Sequence, residues 1–420
     1  MLDIKFIREN PEKVKQGCQK KQVKVDVDKL LDLDKKRRGF LQKIDSLRAN
    51  QNKISEGGGK DKVQIEKAKE LKNQIKDLEK EFKKTEKEFN TLMLQIPNLP
   101  LDDVPVGKDE KDNVVLREVG KRTKFNFKPR NYLEIAENLD LIDVKRAAKV
   151  SGSRFGYLKN EAVLLEFALI NFVFDVLLKE NFTPIIPPVM LKSEMARGTG
   201  YFEAADIEEA YFLPKDNLFL VGTSEQSLLT MRADEIFEER ELPKRYVGFS
   251  TCFRREAGTY GKDTKGILRV HQFDKIEMFS FSKPEQSVKE HQFFLSMEKK
   301  LMQALKLPYQ IINICTGDLG FPVAVKYDIE TWIPSENKYR ETHSTSNCTD
   351  FQSRRLNIRF KPNIQNPKSK IQFVHTINGT AIAIGRTLIA IIENYQQKDG
   401  SILVPKVLQK YLGFETIPKK

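Results

Sequence analysis

Between Cys252 and Phe281 the chain reads CFRREAGTYGKDTKGILRVHQFDKIEMFSF. Arg254, Arg255 and Glu256 stand together, and Phe273, Lys275 and Glu277 follow at every second position. In an extended strand, alternate residues point to one face. By the same rule Arg254 and Glu256 share a face and Arg255 takes the other. If the two runs fold back on each other through AGTYGKDTKGIL, one face carries a guanidinium, two carboxylates and an aromatic ring. A guanidinium fork matches phosphate geometry and stays charged. A ring can stack on a base, and a carboxylate beside it can accept from an exocyclic amine or an ammonium. That set of groups suits a nucleotide with its phosphates next to a small cationic molecule. A surface hairpin laced with salt bridges would show the same local pattern, and these residues alone leave both readings open.

The common parallel-sheet phosphate sites are absent. GTYGK lacks the spacing of a GxxxxGK[ST] loop, and no GxGxxG follows a strand-like run. Lys and Arg number 72 against 59 Asp and Glu in 420 residues, a net charge of +13. Such an excess favours a polyanionic partner, nucleic acid ahead of anionic lipid, although lysine used only for solubility explains it as well. Cys18, Cys252, Cys315 and Cys348 form no CxxC pair, so neither a disulfide scaffold nor a structural zinc is expected. Asp3 and Glu9 in MLDIKFIREN argue against a secretory or transit segment. The most apolar run, AVLLEFALINFVFDVLL, is broken by Glu166, Asn171 and Asp175 and falls short of the ~18 uninterrupted residues of a membrane span. It reads as a buried amphipathic helix, and the expectation is a cytoplasmic protein with no membrane partner.

The elements that must position the chemistry fall into two parts. Ala68, Leu71, Ile75, Leu78, Phe82, Thr85, Phe89, Leu92 and Ile96 recur at alternating spacings of three and four, a heptad seam of about four repeats. Leu30, Leu33, Arg37, Phe40, Ile44, Leu47, Gln51 and Ile54 keep the same rhythm, interrupted by Arg37 and Gln51. EGGGKDK separates the runs, and Gly57–Gly59 permit a turn. The pattern predicts an antiparallel helical hairpin of roughly 30 residues per helix, about 45 Å long at ~1.5 Å rise. Pro97 and Pro100 stop the second helix. Residues 104–149 read as a charged connector with a short helix at NYLEIAENLDLID. A long helix follows, then a strand bracketed by Pro184 and Pro187-Pro188. AYFLP, LFLVGT, RYVGFSTCF, RVHQFDKIEMFSF, YQIINICT, VAVKYDIETWI and IQFVHTI read as strands without βαβ spacing. They predict an α+β body, a mostly antiparallel sheet flanked by helices, closed by a buried helix over TAIAIGRTLIAIIENYQ.

These motifs resemble those of class II aminoacyl-tRNA synthetases. FRREAG with its loop and HQFDKIEMF looks like motif 2. NGTAIAIGRTL looks like motif 3, and the helix–strand–PP segment ending at Pro188 resembles the motif 1 dimer element. Within the class the similarity is to the seryl-tRNA synthetase family. MLDIKFIRENPEKV, the heptad hairpin, GTGYFE, VGTSEQSL, ETHSTSNCTDFQSRRLNIRF and DGSILVPKVLQKYLG follow that family's landmarks in order, essentially end to end.

The resemblance implies a tRNA-binding domain over residues 1–103 with a coiled-coil arm, and a catalytic domain over 104–420. It implies that Thr223, Glu225, Glu277 and Thr380 bind serine, and that Arg254 grips the α-phosphate with Arg255 beside it in the ATP site. Glu256 would meet the adenine amino group, Phe273 would stack on the ring, and Arg386 would hold the far end of a bent ATP. Glu341, Thr342, His343 and Ser344 match the segment that meets ATP, with Glu341 and Ser344 holding Mg²⁺. The family's usual EISS reads ETHS here, which leaves the contacts of Thr342 and His343 open; packing or hydrogen bonding is the role expected of His343. The implied partners are tRNA(Ser), possible extension to tRNA(Sec), L-serine, ATP and a second copy of the chain. The alternative carried alongside is a paralogue that activates an amino acid and loads a carrier other than tRNA. Such a relative would be expected to lack the arm. A non-catalytic nucleic-acid binder would have no use for Arg254, Glu256, Glu277 and Arg386.

Overall fold

The computed structural model describes all residues except 57–61, 203–208, 258–260, 262, 264, 363–369 and 420. The chain divides into two compact units, Met1–Pro97 and Asn98–Lys420.

The first unit is helical: α1 (Ile4–Glu9), α2 (Pro11–Lys20), α3 (Val27–Glu56) and α4 (Lys62–Gln95). Asp3 caps α1 by accepting from the Lys5 amide, and Pro11 opens α2, where its missing N–H is no loss. The heptad seam is real. Leu30, Leu33 and Ile44 of α3 and Ile75 and Phe89 of α4 are buried. Leu47, Leu71 and Leu78 are only half-buried, because two helices alone cover a narrow stripe. The seam drifts at its end, where Met93 rather than Leu92 is buried. Arg37, the polar interruption, lays its guanidinium 4.5 Å from the Phe89 ring centroid and pairs with Asp34 at 3.5 Å. It thus fills an apolar position with its stem and its flat face. The expected glycine turn lies outside the described residues. Helix α4 ends at Gln95, one residue before Ile96-Pro97, as the restriction on a residue preceding proline requires.

The second unit is built on an eight-stranded sheet. Its strands are β1 (Val114–Val119), β2 (Thr183–Ile185), β3 (Lys244–Phe253), β4 (Gln272–Ser282), β5 (Tyr309–Asn313), β6 (Val325–Ile333), β7 (Lys338–Thr349) and β8 (His375–Ala383). They lie side by side as β1-β5-β6-β7-β8-β4-β3-β2. Every neighbouring pair is antiparallel except β2 with β3. Helices α5 (Glu161–Leu177), α6 (Glu225–Thr230), α7 (Ser287–Leu305) and α8 (Ile384–Asn394) complete the frame. Leu165, Phe172, Phe294, Leu301, Leu388 and Ile391 from α5, α7 and α8 join Ile276, Met278, Ile329 and Ile377 of the sheet in one buried apolar cluster. Among the described residues no helix is long and apolar enough to cross a membrane.

Three readings change. Residues 114–119, taken as connector, form edge strand β1, whose mixed and mostly exposed residues carry no burial period. The segment around ETHS is a twelve-residue strand at the centre of the sheet, hidden in the sequence by its run of small polar residues. TAIA extends strand β8, and α8 begins only at Ile384. Its β-branched, ladder-paired residues favour the strand.

Candidate active site

A cavity of about 490 Å³ lies on the side of the sheet opposite the apolar cluster. The alternation of β4 accounts for the division. Phe273, Lys275 and Glu277 line the cavity, while Ile276 and Met278 enter the core. Strand β8 supplies Asn378 and Thr380, and β4 pairs with it so that Glu277 stands opposite Thr380. The Thr380 hydroxyl donates to Glu277 Oε2 at 3.4 Å, and Lys275 Nζ lies 2.5 Å from the same oxygen.

Thr223 and Glu225 come from the start of α6, which sits close against β3. Gly248, opposite Glu277 in the ladder, makes that approach possible. A Cβ there would stand 2.9 Å from Leu228 Cδ1 and 3.2 Å from Ser224 Oγ. Ser224 Oγ then donates to the Gly248 carbonyl at 3.2 Å and ties the turn to the strand. Glu225 is held from both sides: the Tyr201 hydroxyl donates to Oε2 at 3.2 Å and Gln352 Nε2 to Oε1 at 3.0 Å. Burial, with the nearby Glu277 carboxylate, pushes the Glu225 carboxyl up to about 7, against the lowering effect of Gln352, Lys275 and Tyr201.

At the other end, Arg254 and Glu256 line the cavity and Arg255 does not. The expected division of sides holds, but not through strand alternation, since β3 ends at Phe253. Arg254 is fixed by its own bonds: Nε donates to the Gly222 carbonyl at 3.2 Å, and its Cζ stands 5.4 Å from the Phe273 ring centroid. Glu256 pairs with Arg269 at 3.6 Å and Arg154 at 3.9 Å, its backbone in the left-handed region at φ 52°. Arg255 instead donates to the Ala210 carbonyl at 2.9 Å and lies over Tyr211. It lines an adjoining cavity of about 880 Å³ with Arg154, Arg197 and His271.

Glu341, Thr342 and Ser344 all line the first cavity. Glu341 and Ser344 are three residues apart, and regular alternation would send them to opposite faces. A bulge in β7 resolves this: Glu341 pairs with Glu330 and His343 with Ile329, leaving Thr342 as the extra residue. Arg386, near the start of α8, donates Nη1 to the Glu341 carbonyl at 3.0 Å and pairs with its carboxylate at 3.2 Å. Burial would raise the Glu341 carboxyl, but Arg386, Lys326 and Arg254 together hold it well below the usual range. The side chain is still 43% exposed at the cavity mouth, so water screens each of these charges. His343 turns away from the cavity: it is buried, and Nδ1 lies 2.8 Å from the Thr342 hydroxyl. Burial pushes its imidazole down to about 4, the packing role expected of it rather than an ATP contact.

Residues not singled out by sequence also line the cavity: Tyr201, Glu209, Arg269, Lys275, Lys326, Ser346 and Asn378. Lys275 had a signal, two positions from Glu277 on one strand face. Lys326 had a weaker one, a lone cation in VAVKYDI, where its ammonium lies 3.0 Å from Asp328.

Fixed arginines at one end, two carboxylates and a hydroxyl at the other and a ring between can seat a folded nucleotide against a small zwitterion. Comparison with known proteins agrees. Residues 211–395 match the family model of the tRNA synthetase class II core domain (G, H, P, S and T), and the fold is that of class II aminoacyl-tRNA synthetases. Residues 1–100 match the seryl-tRNA synthetase N-terminal domain. The chain is 48% identical over 429 residues to the serine–tRNA ligase of Dictyoglomus thermophilum, covering 100% of each. Its structure resembles seryl-tRNA synthetase from Pyrococcus horikoshii complexed with ATP, at a TM-score of 0.92 and 42% identity over 100% of both chains. It also resembles the cytoplasmic serine–tRNA ligase of Naegleria fowleri in complex with AMP, at 0.89 and 33% over 100% of this chain and 99% of the other. The chain belongs to the seryl-tRNA synthetase family.

Proposed function

We propose that this chain activates L-serine with ATP to seryl-adenylate and transfers the seryl group to tRNA(Ser), with tRNA(Sec) a second acceptor. The observation that carries the reading is the full-length match to serine–tRNA ligases, joined to a cavity lined by Thr223, Glu225, Arg254, Glu256, Phe273, Glu277, Glu341, Ser344, Thr380 and Arg386. Glu225 and Glu277 take the ammonium of serine, and Thr380 with Glu277 meets its hydroxyl. Phe273 stacks on adenine and Glu256 accepts from its amino group. Arg254 grips the α-phosphate and Arg386 the far phosphates. The serine carboxylate attacks the α-phosphorus and pyrophosphate leaves. The carboxylate is already ionised, so no general base is needed for this step. What the chain supplies is positioning and neutralisation of negative charge. Loss of a hydroxyl partner leaves buried polar groups unpaired, which disfavours alanine.

Glu341 and Ser344 fit an ATP-bound Mg²⁺: both offer oxygen donors to the cavity, and the local cations favour the Glu341 carboxylate in its charged form. Bound there, the ion would neutralise phosphate charge. The reading gives residues 1–103 to tRNA binding through phosphate contacts of the lysine-rich arm, and 104–420 to catalysis in the cytoplasm. A homodimer is supported by Leu164, Phe167, Leu178 and Ile186, large apolar side chains left exposed on and after α5. The test is aminoacylation of purified tRNA(Ser) with serine, threonine and alanine side by side. Charging with serine far above the other two is expected, and equal charging would overturn the assignment.

A further inference from the structure

The amino-acid end of the cavity holds two buried carboxylates, Glu225 and Glu277, and a small zwitterion brings a third when it binds. Three carboxylates with a single substrate ammonium between them would repel one another in a low-dielectric site. Lys275 answers that imbalance. It is 6% exposed, lines the cavity, and places Nζ 2.5 Å from Glu277 Oε2. The Thr380 hydroxyl reaches that same oxygen. Both contacts therefore fall on Oε2, and among the described residues no hydrogen bond reaches Oε1. A carboxylate pinned by one oxygen keeps a single orientation and presents the other to the cavity. Lys275 can do this because it sits two residues before Glu277 on one strand face, so the two side chains run alongside each other over about 6.6 Å of backbone.

We propose that Lys275 is a positioning residue for serine, acting through Glu277: it orients that carboxylate, balances its charge and leaves Oε1 for the substrate ammonium. This rests on the assignment of Glu277 to the serine end. A structural ion pair alone would set stability but not which substrate suffers when it is broken. The lysine ammonium donates in three directions, and an arginine at the same position keeps the charge and one bond to Oε2.

The experiment is pyrophosphate exchange with full-length Lys275→Met, Lys275→Arg, Glu277→Gln and the double variant Lys275→Met/Glu277→Gln, each checked for native fold by circular dichroism. Lys275→Met is expected to raise KM for serine about 10- to 100-fold, the range for a charged hydrogen bond lost at a buried site, with KM for ATP within about twofold. Lys275→Arg is expected to recover most of that loss. The double variant is expected to be no worse than Glu277→Gln, since a residue that acts through another adds nothing once the other is gone. If Lys275→Met is unfolded, comparison of the double variant with Glu277→Gln still decides, because neither retains a lone buried charge from this pair. Unchanged KM for serine in a folded Lys275→Met, or losses in the double variant that simply multiply, would overturn the proposal. A normal KM for serine in Glu277→Gln would instead overturn the assignment of the serine end, whatever Lys275 does.

Discussion

Glu225 gives the most quantitative handle on the site. Its carboxyl has an ordinary value of 4.5 and is pushed up to about 7 by burial and the neighbouring Glu277. A serine ammonium is attracted by the ionised form and not by the neutral one. For a group titrating near 7, the ionised fraction is about tenfold lower at pH 6 than at pH 8, and kcat/KM reports groups of the free enzyme. The expected profile of kcat/KM for serine in pyrophosphate exchange therefore climbs about tenfold between those pH values and flattens above. Glu225→Gln should lose that limb and run low throughout.

The same shift fixes a stability effect of opposite sense. The folded-state value is raised, so the contribution is full below the ordinary carboxylate range and is lost as pH rises through about 7. A shift from 4.5 to about 7 corresponds to about 3 kcal/mol. Urea unfolding should thus find Glu225→Gln increasingly more stable than the parent from pH 5 to pH 8, by up to about 3 kcal/mol, while less active. Asp328, also pushed up to about 7 by burial, next to Lys326, could add a limb of its own, but Glu225→Gln would leave that limb in place. A flat parent profile, or an unchanged slope in Glu225→Gln, would refute the reasoning.

Arg254→Ala removes the guanidinium held by Gly222 over Phe273; a loss of about 10²- to 10³-fold in pyrophosphate exchange is expected, and near-normal exchange would take Arg254 out of the site. Arg386→Ala frees Glu341 from its partner, so KM for ATP should rise while KM for serine holds; kinetics with each substrate varied in turn decide it. Gly248→Ala drives a Cβ to 2.9 Å from Leu228, so a stability loss of about 1–3 kcal/mol with a raised KM for serine should appear in unfolding curves and kinetics. Deletion of residues 28–96 should leave serine-dependent exchange largely intact and cripple tRNA charging, and unchanged charging would end the arm's proposed role.

Much of the fold is written locally. The seam of α3 and α4 follows from a three-and-four spacing of apolar residues, and α4 stops where Pro97 forbids continuation. Phe273, Lys275 and Glu277 share a face because a strand has period two. Strand β7 was harder to see because THSTSNCT has neither an apolar run nor a clean alternation, and its place between two other strands, not its composition, makes it a strand.

The chemical types at the site were likewise determined by sequence alone: guanidinium, carboxylate, hydroxyl and ring at positions a local pattern can nominate. Their convergence was decided only by tertiary structure. Glu225 reaches Glu277 because Gly248 lets a helix lie against the ladder, and one extra residue in β7 turns Glu341 and Ser344 to the same face while His343 is buried behind them. Arg255, next to Arg254 in the chain, ends in a different cavity once β3 stops at Phe253. The physical reason is range: side-chain direction within one element is set by bonds a few residues apart, whereas register, bulges and the burial that shifts Glu225 arise from contacts between segments more than twenty residues away.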